Sequence, residues 1–561
     1  MRTPWLLPRD GQAGLGCMRL STSPDRDEVR ARSVVHTALD AGFTVFDTAH
    51  AYGRDESEYG HNERWLAAFL KEHPKGDTAR VITKGGMRRA GPKWISDGKA
   101  STIRAQCEAS LEALGKIDLY LLHAPDSRTP LATSMRELEA LRTEGLVKAI
   151  GICNVNRAQL DEAMEHAEIS AVQLAVSLVD DSALAGGVVT RALERGLTVI
   201  CHSPLGGPRK YAELSRQSWL AERAKVDGCS LHEWALAALM AIDRNVVVIP
   251  GARRVETVNS CLRATLVRLP EEASGVLRRF VSPLTPTLSP AGEREVVLLM
   301  GIQGSGKTTR VTEKLAQGYT RLNRDEEGGT LAKLHDKLGV MLRSGVQRVV
   351  LDNTYVTREQ RRGVLEVAVK HGVPVRGVWH EIDLAQAQVN VVLRMLEVHG
   401  RLLPPEELKG RTPDSLGPLV LPRTAKTLES PADDEGFTEL TRLPFTRRPW
   451  PDGSAALFLG LEQLANDGTW LPDAARAVAE WPEAPRVLLG WKEGGLTPPE
   501  GVINAVCPHP GGPPICWCRP PLPGLVLEHA RNLKLSLTRS RLVSTSPVLV
   551  NLGRVLGLLQ S

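Results

Sequence analysis

From residue 13 to about 270, short apolar runs alternate with longer segments in which apolar residues recur every three or four positions. The runs at 43–46, 80–83, 117–122, 149–152, 170–173, 197–200 and 246–249, with 14–18 ahead of them, predict eight strands. Segments such as 29–41 and 101–114 predict amphipathic helices between them. Eight strand–helix units imply an α/β fold, the (β/α)8 or TIM barrel, with its chemistry at the carboxyl ends of the strands. The pattern breaks at 282–290, where Pro283, Pro286 and Pro290 stand among serines and threonines and exclude a helix interior or a central strand. A buried-strand pattern resumes at 296–300 and is interrupted again around Pro444, Pro449 and Pro451. These breaks predict a barrel at 1–280, an extended linker at 281–295, a parallel-sheet domain at 296–443 and a tail at 453–561.

Composition adds limits. A chain of 561 residues is too long for one core, and 42% hydrophobic with 24% charged residues is ordinary for globular protein. No run approaches the roughly 20 apolar residues of a membrane helix. The proline-broken start is too short for a secretory signal, so a cytoplasmic location and no membrane partner are expected. A net charge of +5 gives no argument for nucleic acid. Six cysteines are scattered singly and read as reduced thiols, while Cys507, Cys516 and Cys518 crowd together.

Polar residues fall at the predicted strand ends: Asp47 after the second strand, Lys84 after the third and His123 after the fourth, with Tyr52 in the loop following Asp47. The stretches Phe46-Asp-Thr-Ala, Ala51-Tyr-Gly, Thr83-Lys, Leu122-His, Gly151-Ile-Cys-Asn154, Gln173, Ser203-Pro-Leu-Gly206 and Ile249-Pro-Gly251 resemble the aldo-keto reductase family, in order, across 13–265. The resemblance implies NADPH- or NADH-dependent reduction of a small carbonyl compound. Tyr52 would donate the proton, its pKa lowered by Lys84, which Asp47 holds; His123 would orient the substrate oxygen. Asn154 and Gln173 would hold the nicotinamide carboxamide, and Ser203, Leu205, Gly206, Gly251 and Arg253 the pyrophosphate and adenosine. The cofactor grip departs from the family. Val176 replaces a stacking aromatic, Ser260-Cys261 replaces a Glu-Asn pair, and Thr257 replaces an arginine. Arg253 and Arg254 could substitute for that arginine, which favours NADP(H) and leaves NAD(H) open.

The 296–300 strand runs into Gly301-Ile-Gln-Gly304-Ser305-Gly306-Lys307-Thr308-Thr309, a phosphate-binding loop of the form G-x-x-x-x-G-K-[ST]. Its backbone N–H groups would cradle the phosphates of ATP, Lys307 neutralise them and Thr308 hold Mg2+. Asp352, ending a strand at 348–352, would hold the metal's water shell. Arg394 and Arg401, on or beside a helix predicted at 385–399, would form a phosphate-clamping lid, or else a solvated basic face. With Asn323-Arg324-Asp325, the region resembles the polynucleotide-kinase-like P-loop kinases. By that resemblance Asp325 is the general base and a nucleic-acid 5′ end the acceptor; Gly328 stands where the family's acceptor-binding arginine would be, which leaves a small-molecule acceptor open.

In the tail, Cys507, His509, Cys516 and Cys518 have the donor types and spacing of a structural Zn2+ site. The segment is similar to the zinc loop of histidinol-phosphate-type phosphatases of the haloacid dehalogenase superfamily. Yet Gly460-Leu-Glu462 stands where Asp-x-Asp belongs, Pro520 where a lysine does, and no Asp lies in 543–547. The implied domain is a degenerate phosphatase that lacks its nucleophile. Two further readings stand beside a bifunctional reductase–kinase: a nucleotide-sensing or nucleic-acid-repair scaffold whose barrel only binds NADP(H), and two proteins joined without a shared function. The oligomeric state is left open.

Overall fold

Side chains alternate along each barrel strand, and that alternation sorts the core into an inside and an outside. In Leu119–Leu122, Leu119 and Leu121 join the barrel interior, while Tyr120 and Leu122 pack under the helices. The computed structural model describes residues 5–7, 10–91, 93–270, 284, 294–408 and 412–560. They fall into two units, 1–283 and 284–561.

The first unit holds eight strands: β1 (Gly14–Gly16), β2 (Val45–Asp47), β3 (Arg80–Gly85), β4 (Leu119–Leu122), β5 (Ile150–Cys153), β6 (Ile169–Ala175), β7 (Thr198–His202) and β8 (Val246–Ile249). They pair in parallel in sequence order. The seam between β8 and β1 is bridged at Ala13–Val248 and Gly16–Gly251, and the Gly16 N–H donates to the Pro250 carbonyl at 3.1 Å. The near-closed (β/α)8 barrel is the expected one. Its interior is filled by Val45, Ile82, Leu119, Leu121, Ile200 and Val247, with Trp5 buried among them. Helices such as Glu28–Asp40 and Ala100–Leu114 lie within a residue of the predicted segments. Two details differ from expectation. Asp47 and Lys84 lie within β2 and β3 rather than after them, because the pairing runs one register step further. An antiparallel hairpin, Met87–Ala90 with Lys93–Ser96, follows β3.

The second unit contains two parallel sheets. The first has the order β10-β11-β9-β12-β13, from β9 (Glu295–Met300), β10 (Thr320–Leu322), β11 (Arg348–Asp352), β12 (Val375–Glu381) and β13 (Glu439–Pro444). The other has the order β16-β15-β14-β17-β18, from β14 (Leu457–Gly460), β15 (Arg486–Trp491), β16 (Val502–Cys507), β17 (Arg541–Val543) and β18 (Leu559–Gln560). The two sheets share a core. Val391, Val392, Met395 and Leu396, on a helix between β12 and β13, are buried with Phe458, Val487, Trp517 and Leu542 of the tail. The proline-rich stretch expected as a linker lies outside the described residues except for Leu284, Arg294 and Glu295. Among the described residues no helix is long and apolar enough to cross a membrane.

Candidate functional site

The parallel strands of the barrel deliver four side chains to one end. Lys84, 1% exposed, lies between Asp47 and Tyr52: its Nζ donates to both Asp47 carboxylate oxygens at 2.8 and 2.7 Å, to the Thr48 carbonyl at 2.8 Å and to the Tyr52 hydroxyl at 3.1 Å. Burial works against the Lys84 charge, but the Asp47 carboxylate, with smaller help from Tyr52 and Cys153, offsets it and the ammonium is held above its ordinary pKa. Tyr52 departs from expectation. Burial raises its phenol to about 12, more than the Lys84 charge lowers it, so the free protein keeps it protonated at neutral pH. His123 stands edge-on to Tyr52 with centroids 5.8 Å apart. Burial and the Lys84 charge keep its imidazole well below the usual range, so it is neutral, and its Nδ1 is buried without a hydrogen-bond partner.

Two residues that the sequence did not single out complete this end. Trp94, on the hairpin, approaches both Tyr52 (6.1 Å) and His123 (6.0 Å), and the Arg89 guanidinium lies 4.1 Å over its ring. Half-exposed, it presents an apolar ring beside both Tyr52 and His123. His202, the last residue of β7, meets the Asn154 Oδ1 at 3.0 Å, while the Asn154 amide donates to the His123 carbonyl at 2.9 Å. The strand-end position of His202 was a usable signal; Trp94 lies among hairpin charges and gave none.

The expected cofactor residues line the same end but several are engaged within the protein. The Gln173 amide donates to Asp47 at 2.7 Å, and Arg253 pairs with Asp25 at 3.1 Å and reaches Ser23. Asn154 and Ser203 hold φ values of 57° and 51°, a left-handed backbone that costs of order 1–3 kcal/mol each and marks a shaped site. Gly206 (φ 85°) begins the helix Gly207–Ser215, and Leu205 is half-buried beside it. Gly251 lies at the barrel seam. Cys261 is buried in the core at 4% exposure, and Ser260 donates to Glu233, so neither offers an adenine contact. An unpartnered His123 nitrogen, a strained polar rim and glycines at the helix start fit a dinucleotide.

In the second unit, β9 feeds the phosphate loop into helix α1 (Lys307–Ala316), as the motif requires. Gly301, Gly304 and Gly306 take φ values of 142°, 79° and 91°, and a Cβ on Gly304 would lie 2.6 Å from the Ala387 carbonyl of helix α2 (Leu384–His399). The Lys307 Nζ folds back on the Gly301 and Ile302 carbonyls at 2.7 and 3.1 Å. Burial lowers its pKa to about 8, against the Asp352 charge. The Arg394 guanidinium donates to Thr308 Oγ1 at 3.3 Å, and Asp352 is paired with Arg321. The loop, with Ser305 and Thr309, lines a cleft of about 770 Å³ whose far wall carries Arg324 and Asp325. Asp325 is exposed, and its backbone N–H donates to Asn323 Oδ1 at 2.7 Å.

Arg401 is not brought to this cleft. Its guanidinium pairs with both Glu407 oxygens at 3.0 Å. Conversely, the proline-rich segment after β13, read from the sequence as a boundary, forms a cleft wall with Phe445, Arg447, Arg448 and Trp450. There Arg447 lies over the Phe445 and Trp450 rings at 5.3 and 5.1 Å.

In the tail, the donor atoms of Cys507, His509, Cys516 and Cys518 all lie within 4.8 Å of one another. Separations of 3.7 Å between Cys507 and Cys516 sulfurs and 3.1 Å from His509 Nδ1 to the Cys518 sulfur suit one small tetrahedral ion, for which thiolate bonds of about 2.3 Å are usual. Three thiols and one imidazole fit Zn2+. At the carboxyl end of β14, Glu462 accepts from the Ser544 hydroxyl and from the Thr545 and Ser546 N–H groups at 2.9 and 3.2 Å, just before helix α4 (Pro547–Leu556). Asp467 accepts from the Thr469 N–H and hydroxyl, a local turn contact.

Residues 13–280 match the family model described as the Aldo/keto reductase family, and residues 296–402 match one described as an AAA domain. Among solved structures the chain is similar to an aldo-keto reductase from Bacillus halodurans in its holo form, at 26% identity over 48% of this chain and 91% of that one, with a TM-score of 0.41. It is similar also to a glycerol dehydrogenase from Gluconobacter oxydans (23% identity, 52% and 98% covered, TM-score 0.43). A third is an aldo-keto reductase from Klebsiella pneumoniae in complex with NADPH (21%, 48% and 90%, TM-score 0.40). By the two family models, the chain holds a region matching the aldo/keto reductase family at 13–280, followed by one matching an AAA domain at 296–402.

Proposed function

We propose that the barrel reduces a small aldehyde or ketone with NADPH, and that the P-loop unit transfers a phosphoryl group from ATP. The observation that carries the first reading is the Lys84 ammonium held between the Asp47 carboxylate and the Tyr52 hydroxyl. Bound NADPH supplies the hydride; the rest of the chemistry belongs to this chain. The oxygen of a bound carbonyl would then gain negative charge beside His123 and Tyr52. The neutral His123 ring orients that oxygen, and Tyr52 gives up its proton to it. The phenolate left behind is stabilised by Lys84, whose charge Asp47 secures, and solvent returns the proton. Trp94 keeps the substrate's apolar part dry. Asn154, Gln173, Ser203, Leu205, Gly206, Gly251 and Arg253 are the residues proposed to hold the dinucleotide, with Arg253 released from Asp25.

Tyr52→Phe tests this directly. It keeps the ring and removes the proton, so NADPH oxidation with an aldehyde panel is expected to fall by about 10²–10⁴-fold while NADPH still binds. Unchanged turnover would sink the assignment.

The second reading rests on one cleft lined by both the phosphate loop and Asp325. Lys307, Thr308, Thr309 and Arg394 would meet ATP phosphates, Thr308 and Asp352 would hold Mg2+, and Asp325 would take the acceptor's hydroxyl proton. An acceptor at a nucleic-acid 5′ end is our reading from Asn323-Arg324-Asp325 and the aromatic and basic wall of Phe445, Arg448 and Trp450. Transfer of labelled phosphate from ATP to a 5′-hydroxyl oligonucleotide is expected; transfer only to a small alcohol would remove nucleic acid.

A further inference from the structure

We propose that the Cys507–His509–Cys516–Cys518 centre is a brace for the nucleotide cleft: a Zn2+ held there fixes Trp517 against the cleft wall and thereby sets affinity for ATP. The proposal rests on reading the cleft as an ATP site.

One part of the cleft lining is the stretch after α2, which ends at His399 and is followed by Gly400 in the left-handed region (φ 73°). Within 401–408 and 412–419 the only regular element among the described residues is one short turn, Pro405–Glu407. Such a segment has few internal hydrogen bonds and depends on outside anchors. Pro413 and Leu416 of this stretch line the cleft, as does Arg394 one turn back on α2.

Two of its anchors come from the zinc loop and its continuation. Trp517, between ligands Cys516 and Cys518, is 1% exposed, and its indole N–H donates to the Leu416 carbonyl at 2.7 Å. Its ring is buried with Met395, Leu396, Leu403, Leu416 and Leu421. The other anchor is Glu528 on helix α3 (Gly524–Asn532), which accepts from the Leu402 N–H at 2.8 Å. The start of α3 is tied to the loop, because the Gly524 N–H donates to the Trp517 carbonyl at 3.1 Å. Leu402 itself packs on the three cysteines. Residues 508–523 form no helix or strand, and of the four ligands only Cys507 lies on one, at the end of β16; a metal would therefore tie the loop carrying Trp517 to that strand, and structural Zn2+ contributes folding energy to loops of this kind. A rigid Trp517 keeps Leu416 and α2 in place, and α2 carries Arg394 to Thr308. A ligand that must order its own site binds more weakly than one meeting a formed site.

The test uses the full chain. Zinc content is measured as purified and after chelation, hydrogen exchange is followed across 395–421, and a fluorescent ATP analogue reports affinity. Zinc removal is expected to raise exchange at 395–403 and 412–421 and to weaken the analogue by roughly tenfold, about 1.4 kcal/mol, with both effects reversed by added Zn2+. NADPH-dependent reduction by the barrel, expected to be unchanged, controls for general damage. Trp517→Phe, which keeps the ligands and removes the N–H, should retain zinc, speed exchange at 412–421 and weaken the analogue several-fold. Loss of zinc with unaltered exchange in these segments overturns the brace, as does a purified chain that takes up no Zn2+. A zinc-loaded chain that binds no ATP analogue overturns the reading of the cleft and the claim on affinity, and the exchange arm still decides whether the centre supports the wall.

Discussion

At the residue scale the decisive pair is Asp47 with Lys84, 5% and 1% exposed. Taking one charge from a buried pair strands the other, which typically costs about 3–5 kcal/mol. Asp47→Asn should therefore lower the thermal midpoint of the barrel and reduce turnover together, as followed by calorimetry and NADPH oxidation; a variant that loses turnover with unaltered stability would mean the pair is catalytic only. Lys307 gives a second expectation. With its pKa lowered to about 8, it is charged below that pH and neutral above it. Phosphates favour the charged form, so ATP affinity is complete only well below pH 8, and it declines through that pH by up to about tenfold per unit above it. Titration calorimetry from pH 6.5 to 9.5 checks the sign. Asp47, Lys84 and His123 were legible because each closes or follows an apolar run, where a barrel must display it, and Tyr52 because it shares the loop after Asp47. Trp94 and Arg321 were not, since a ring among hairpin charges and an arginine in a short strand look like ordinary surface.

At the element scale, α2 closes on the phosphate loop. The Gly304 Cα faces the Ala387 carbonyl, and the Asn390 amide donates to the Gly304 carbonyl at 2.7 Å. Gly304→Ala would drive a methyl group to 2.6 Å from that oxygen and place a side chain at φ 79°. Loss of ATP-analogue binding by at least about tenfold is expected from the strain, with the barrel's activity intact. Binding near the parent's would mean that α2 shifts at little cost. The same helix shows where sequence spacing misleads. Arg394 and Arg401 are seven apart and would share a face on a continuous helix. The helix stops at His399, and Gly400 in the left-handed region turns the chain away, leaving Arg401 to Glu407. A glycine at that position was the readable warning.

At the scale of the whole molecule, the hydrophobic pattern located the elements better than their partners. The apolar face of α2 is an ordinary helical stripe, and nothing in its period tells that part of it is covered by the second sheet of its unit. The proline-rich connection near 450 reads as an interruption because proline leaves strands and helices, yet its rings and arginines face the cleft. The shared core sets an expectation. A fragment of 284–452 would expose Val391, Val392, Met395 and Leu396, and should be insoluble or molten, whereas 1–283 and 284–561 made separately should each fold. Circular dichroism melts of the three fragments decide; a cooperative melt for 284–452 would show that the tail is dispensable.

Glu462 carries a consequence for how the tail can change. A Cβ at Gly460 would come to 2.3 Å from the Glu462 carboxylate, which is itself held by Ser544, Thr545 and Ser546. An aspartate introduced at 460 alone would therefore have to displace the Glu462 carboxylate from these partners and would add a like charge beside it. Shortening Glu462 first would open the position but strip the start of α4 of its anion. Either change alone would cost this corner a contact made at the start of α4. One carboxylate thus ties the end of β14 to the start of α4, so the two elements can change only together.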